Sequence, residues 1–305
     1  MDLQFSCLLK PKKTISYCLK HNGKFMKLER ASFFFAVILL ILGMQTRAGD
    51  LSADVRTGAS NPHAGDGNYL ELGSAFVMGT SPIYGVPEGN SEDKIYFGVM
   101  LSVNFRYQYK NFFAEGAAHS LESTTLGYHL TDNEHWALDA VMLQQNGEIS
   151  KSLSRDLEGI KKREADYMLG FRATGYYENY IIQMHALTDI SETHGGQDFS
   201  FKVGRYWQYK NWNLHAIQAV RYNSAAIANY YFSVQPEDAS EKFPEFHAHA
   251  GFNYVFELGA TYPLSQKWVF RSSFRHVELE HQWAGSPLLV ATHADTFINS
   301  ISYVF

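Results

Sequence analysis

The sequence predicts an all-β fold, a transmembrane antiparallel up-and-down β-barrel of about twelve strands, and three observations carry that expectation. Apolar residues recur with a period of two along most of the chain, short and long connections alternate between the segments that show it, and the final segment ends on aromatic residues.

The N-terminus stands apart from this pattern. Residues 33–42 form the one long apolar run, with Lys27 and Arg30 before it and Thr46, Arg47 and Ala48 after it. A spanning helix needs about 20 apolar residues, whereas a secretory core needs roughly 7–15 followed by small residues at a cleavage site. Residues 26–48 therefore read as a signal peptide that starts at Met26 and is cleaved after Ala48, with Thr46 two positions upstream. Residues 1–25 carry Lys10, Lys12, Lys13, Lys20 and Lys24 without apolar periodicity and read as a non-native upstream extension. A signal with an unusually long leading segment, starting at Met1, is the alternative. Residues 49–68, rich in Gly, Asp, Asn and Ser, show no strand pattern and are expected to be a flexible periplasmic lead-in, with the barrel over 69–305.

Composition narrows the class further. Cleavage would remove eight Lys/Arg, two Asp/Glu and both cysteines, Cys7 and Cys18, leaving 18 basic and 29 acidic residues and a net charge of −11. A cysteine-free acidic chain suits an oxidising compartment and argues against a nucleic-acid partner. The chain also carries 22 Phe, 19 Tyr and 5 Trp, more rings than a soluble core needs. Amphipathic rings favour the boundary between lipid and water, so Trp136, Trp207, Trp212, Trp268 and Trp283 are expected in interfacial girdles.

Twelve strands are expected, over 69–79, 95–109, 111–119, 123–130, 134–144, 164–175, 178–187, 198–209, 211–222, 245–260, 267–281 and 294–305. The second is the clearest: Val99, Leu101, Val103, Phe105, Tyr107 and Tyr109 alternate with Met100, Ser102, Asn104, Arg106, Gln108 and Lys110. In an outer-membrane barrel the first set faces lipid and the second lines the lumen. An inward set including Asn104, Arg106, Gln108, Arg172, Lys202 and His249 is expected on the same grounds. Tight turns at 110–111, 131–133, 176–177, 210–211 and 263–266 alternate with connections over 80–94, 145–163, 188–197, 223–244 and 282–293, the short 120–122 being the exception. Up-and-down barrels show this when short turns face the periplasm and long loops face outward; a soluble sandwich has no reason to. On the last strand Phe297, Ile301, Tyr303 and Phe305 share a face broken by Asn299, and Tyr303 and Phe305 look like the C-terminal signal read by the outer-membrane assembly machinery.

Residues with chemical potential find ordinary roles in this frame. His247 and His249 share one strand face at a spacing that suits a metal, but no third ligand is identifiable and both read as luminal polar residues. His276, Glu278, Glu280, His281 and Ser286 contain the residue types of acyl transfer, yet no base, orienting group and nucleophile are marked by a local signature. Lys151, Arg155, Lys161, Lys162 and Arg163 are interleaved with Asp156, Glu158, Glu164 and Asp166, which reads as a solvated outer loop; contact with lipopolysaccharide phosphates is the functional alternative. No phosphate loop, zinc cluster or calcium loop is present in the sequence. Neither enzymatic activity nor a cofactor is expected, and outer-membrane lipid and lipopolysaccharide are the surroundings.

Three loop segments carry a family resemblance. Ser81-Pro82-Ile83-Tyr84-Gly85 is similar to a first-loop Pro-x-Tyr motif of the MipA/OmpV family of outer-membrane proteins. Tyr230, Tyr231, Val234, Glu237 and Ala239, followed by Pro244 and Gly251, resemble that family's Tyr-Tyr-Gly-Val motif with its downstream Glu/Ala pair and Leu-Pro-x-Tyr segment. Ser286-Pro287-Leu288-Leu289 resembles its Ser-Pro-hydrophobic element. Phe232-Ser233 stands where the family has Gly, and Phe246 where it has Tyr. The resemblance spans about residues 73–305 and implies a scaffold in the outer membrane, tethering periplasmic murein synthases and hydrolases such as a lytic transglycosylase and a penicillin-binding protein. Family members are also linked to adhesion and drug sensitivity. A narrow channel for small solutes, a surface adhesin and an outer-membrane hydrolase remain the other classes.

Overall fold

In the computed structural model, which describes residues 20–21, 24–25, 50–59, 68–87, 94–122 and 124–305, the period-two segments become the staves of a closed barrel. Residues 1–43 form a separate unit in which Lys20–His21 pairs antiparallel with Lys24–Phe25. The expected signal peptide and its cleavage point lie outside the described residues. The barrel strands are β1 (Tyr69–Gly79), β2 (Tyr96–Tyr109), β3 (Phe112–Ala117), β4 (Thr125–Asp132), β5 (Trp136–Leu143) and β6 (Met168–Tyr177). They continue as β7 (Tyr180–Asp189), β8 (Gln197–Tyr209), β9 (Trp212–Asn223), β10 (Gly251–Pro263), β11 (Trp268–Glu278) and β12 (His293–Val304). Each pairs antiparallel with its sequence neighbours, and β12 closes on β1 from Thr296 opposite Gly79 to Val304 opposite Glu71. Closure leaves no edge strand, which is what allows a sheet to sit in lipid.

The pleat sorts the side chains as the alternation requires. On β2, Val99 and Leu101 are 77% and 68% exposed on the outer wall, whereas Asn104 and Arg106 inside are 5% and 6% exposed. Of the five tryptophans, Trp136, Trp207, Trp212 and Trp268 cluster at the strand ends that carry the short turns. Trp283 departs from the girdle expected for it. It is fully buried among the loops, stacked on Phe232 at 4.4 Å, with its indole N–H donating to the His249 carbonyl at 2.8 Å.

Residues 176–177, expected as a turn, instead end β6, and the reversal falls at 178–179, where Glu178 takes a φ of 54°; two segments depart further from their sequence reading. Residues 245–250 were expected to begin a strand, but β10 starts at Gly251 because Phe246 instead bridges to Val234 inside the loop. His247 and His249 are therefore exposed loop residues and do not line the lumen; His247 pairs with Glu245 at 2.9 Å. The second is the segment before β1, expected to be flexible. Its described residues include a helix, α1 (Leu51–Thr57), buried inside the barrel.

Candidate functional site: a filled lumen and a folded loop cap

A seven-residue helix is too short to persist alone in water, so α1 owes its order to its surroundings. Asp50 stands at its N-cap in extended conformation, and Gly58 closes it with a left-handed φ of 75°, its N–H reaching the Asp54 and Val55 carbonyls. Leu51 and Val55, one turn apart, fall on one face and are fully buried with Ala137, Tyr176, Ile181 and Ile217. The wall opposite is Gly204, where an added Cβ would lie 2.5 Å from Val55 Cγ2. The other face is polar. Asp54 accepts from the Tyr176 hydroxyl at 2.5 Å and lies 3.7 Å from Arg106, while Arg56 donates to Glu257 at 2.5 Å and to the His119 carbonyl at 2.5 Å.

His119 belongs to the connection expected to be the short exception, but β3 ends at Ala117 and β4 starts at Thr125, so this connection runs over 118–124 and is as long as that over 190–196. This connection folds into the lumen. The His119 ring sits between the hydroxyls of Ser273 and Ser300 at 3.4 and 2.9 Å, and Ser120 donates to Asp50 at 2.6 Å. Glu122 reaches a cluster of strand residues, meeting Lys202, accepting a contact from His185 at 3.0 Å and lying 3.9 Å from Arg172. The Arg172 side chain is itself fully buried, 2.6 Å from Glu115 and 3.1 Å from Asp139. Further along the same inward faces, His185 and Arg221 share Asp198, and Arg275 and His215 join Arg56 on Glu257. The lumen is thus packed with paired charges. Low dielectric makes such pairs strong but demands that each be matched.

The loop end is closed by a second structure that contains most of the family-motif residues. The Tyr84 amide donates to the Leu288 carbonyl at 2.9 Å, that of Val290 donates to the Pro82 carbonyl at 2.8 Å, and Ile83 bridges Leu289. Tyr84 packs edge-on against Phe243 at 5.7 Å. Gly85, at φ 67°, passes so close to Asp156 that an added Cβ would lie 2.3 Å from it. In α2 (Ala225–Phe232), Tyr230 and Tyr231 bracket residue 164: the Glu164 amide donates to the Tyr230 hydroxyl and the Tyr231 hydroxyl donates to the Glu164 carbonyl, each at 2.8 Å. Val234 is buried with Phe243 and Leu288, and the Ser286 hydroxyl donates to the Phe232 carbonyl at 2.6 Å. Pro287 is half-buried beside Ser286, and Gly251 gives Glu280 room at the start of β10. Glu237, Ala239 and Pro244 are exposed on the cap surface and take no part in this packing. At the other end, Tyr303 packs on Trp268 and Phe305 at 5.2 and 5.0 Å, and Phe305 is 70% exposed.

The remaining sequence candidates separate. His276 Nδ1 lies 2.8 Å from Asp295 on the outer wall, whereas the Ser286 hydroxyl is committed within the cap, so the two are not assembled as base and nucleophile. In the basic loop, Lys151 and Lys161 are exposed, Lys162 pairs with Glu148 and Glu164 at 2.9 Å each, and Arg163 turns inward to donate to the Ser233 carbonyl at 2.8 Å. The luminal acids Glu115, Asp139, Asp198 and Glu257 were not singled out in sequence, although the period of two places all four on inward faces.

Asp166 ties the cap to two loops. It accepts from the Gln145 and Asn146 amides at 2.9 and 2.8 Å, and its other oxygen lies 3.0 Å from His194 Nε2. Burial pushes its carboxyl up, but the hydrogen bonds from His194, Asn146 and Gln145 outweigh that and hold it below the ordinary carboxylate value. Because the folded value is depressed, the stability it contributes is present above the unfolded value of about 3.9 and is lost as pH falls through the folded value. Protease cleavage within 144–167 is therefore expected to accelerate below about pH 4 in the wild type. Asp166→Asn should cleave faster at neutral pH with a flattened profile; an unchanged profile would show that Asp166 does not hold the cap.

An apolar, ring-girdled exterior around a charged interior, with short turns at one end and long loops at the other, defines an integral β-barrel of the bacterial outer membrane. The chain belongs to the MltA-interacting protein MipA family, whose model matches residues 72–305. Over 152 residues, half of the chain, it is 20% identical to outer membrane protein Omp26La of Vibrio anguillarum and 21% identical to outer membrane protein OmpV of Vibrio cholerae serotype O1. Each match spans 59% of the relative's length. Among solved structures, the NanC porin aligns over 77% of this chain and 98% of its own at 7% identity, with a TM-score of 0.39. The protein resides in the outer membrane.

Proposed function

We propose that this protein is a filled outer-membrane barrel that serves as a scaffold, docking murein-processing enzymes at its periplasmic end. The observation that carries this reading is the lumen: α1 and residues 118–122 occupy it, and within it Arg172 is paired with Glu115 and Asp139, and Glu257 with Arg56 and Arg275. A solute pathway would need those groups facing water. The inward polarity that supports a narrow channel is thus used within the protein, which favours the scaffold. The family's description as MltA-interacting supplies the chemical class of partner, an enzyme acting on murein. On this reading residues 26–48 direct export and are removed after Ala48, Tyr303 and Phe305 engage the assembly machinery, and exposed Lys151 and Lys161 lie where lipopolysaccharide phosphates are found. The test is affinity recovery from cross-linked envelopes of cells producing the chain from Met26, with mass spectrometry of what comes with it. Murein hydrolases or synthases enriched several-fold over an unrelated barrel are expected, and recovery at background would remove the scaffold reading.

A further inference from the structure

Ser272 on β11 and Asn299 on β12 stand directly opposite each other. Their neighbours Ser273 and Ser300 point inward to His119, so this pair faces outward, in the middle of both strands and at the depth of the lipid. Among the described residues neither side chain makes a hydrogen bond. An amide left unpaired against hydrocarbon is costly, and nothing in the barrel's own packing requires one there. The flanking outward pair is Phe274 opposite Phe297, both half-buried or more open, so the polar pair interrupts an aromatic wall. Nearer the rim the same face carries His276, 2.8 Å from Asp295 and 3.6 Å from Glu278.

We infer that this face of β11 and β12 is the contact between two copies of the chain. A two-fold axis along the membrane normal, passing between Ser272 and Asn299, sets the serine of each copy against the asparagine of the other. Hydroxyl and amide both donate and accept, so the two contacts are reciprocal and satisfy both side chains, as an isologous interface requires. The small serine lets the walls approach, and the Phe274–Phe297 and Phe270–Ile301 pairs on either side pack across the axis.

The test uses the full chain in a background with Cys7 and Cys18 replaced by serine. Chains carrying Ser272→Cys and Asn299→Cys are co-produced, and outer membranes are oxidised without detergent. A disulfide-linked dimer of the two variants is expected. The purified wild type should scatter light as a dimer in mild detergent, and Asn299→Leu should raise its dissociation constant about tenfold while the barrel keeps its heat-modifiable migration. A monomeric wild type with no cross-link would overturn the inference, as would Asn299→Leu dimerising like the wild type or a disulfide to a different protein at these positions.

Discussion

Replacing Leu51 and Val55 together by aspartate is expected to expel α1 from the lumen. Full burial of each side chain is worth about 1.5–3 kcal/mol, so losing both shifts the docked population by about 100-fold or more even before the cost of burying two carboxylates. The reporter is Ser52→Cys in a chain without Cys7 and Cys18: Ser52 is wholly buried beside the Leu121 amide. In the otherwise wild-type barrel its reaction with a maleimide should be slow, and the double aspartate variant should react about 100-fold faster. The wall strands pair with one another and not with α1, so the variant should remain a folded barrel on gels. Equal labelling rates in the two backgrounds would mean that α1 does not occupy the lumen, and the filled-barrel reading would fall with it.

Arg172→Met is expected to destabilise the barrel by about 3–5 kcal/mol, the usual consequence of removing one partner from a buried charge cluster. The guanidinium serves Glu115 and Asp139 from the centre of the wall, with Glu122 3.9 Å away, and it lies over the Phe113 ring at 5.3 Å. Arg172→Lys should recover part of the loss, because a single ammonium keeps the charge but cannot fork between two carboxylates. Urea unfolding in detergent micelles, followed by the heat-modifiable band, measures both. A loss below about 1 kcal/mol, the range of solvated pairs, would indicate a wetted lumen and would favour the channel over the scaffold.

The barrel was legible in the chain because its signal is local. In lipid outward residues are mostly apolar and every backbone group is paired, so twelve segments repeat one rule, and β1 was delimited residue for residue. Boundaries failed where a loop borrowed strand-like sequence, as at residues 245–250, whose alternation serves a bridge to Val234 instead of the wall. The family motifs were visible, but their convergence was not: Tyr84 and Leu288 are some two hundred residues apart in sequence, and only the closing of β12 on β1 brings them together. Helix α1 was missed although its marks are present, Asp50 and Gly58 at its ends and Leu51 and Val55 one turn apart. Two turns of amphipathic pattern are too weak to stand out from coil.

The sequence by itself therefore determined the architecture, the membrane-facing surface, the strand count and the ends that carry turns and loops, because a two-residue period and a turn are properties of neighbouring residues. Only the tertiary structure decided what fills the barrel. Which carboxylate meets Arg172, which wall receives Val55 and which loops share the cap depend on residues far apart in the chain, brought together by closure. Such pairings are chosen by desolvation in a confined space, where an unmatched charge or cavity is expensive, and no local pattern records that choice.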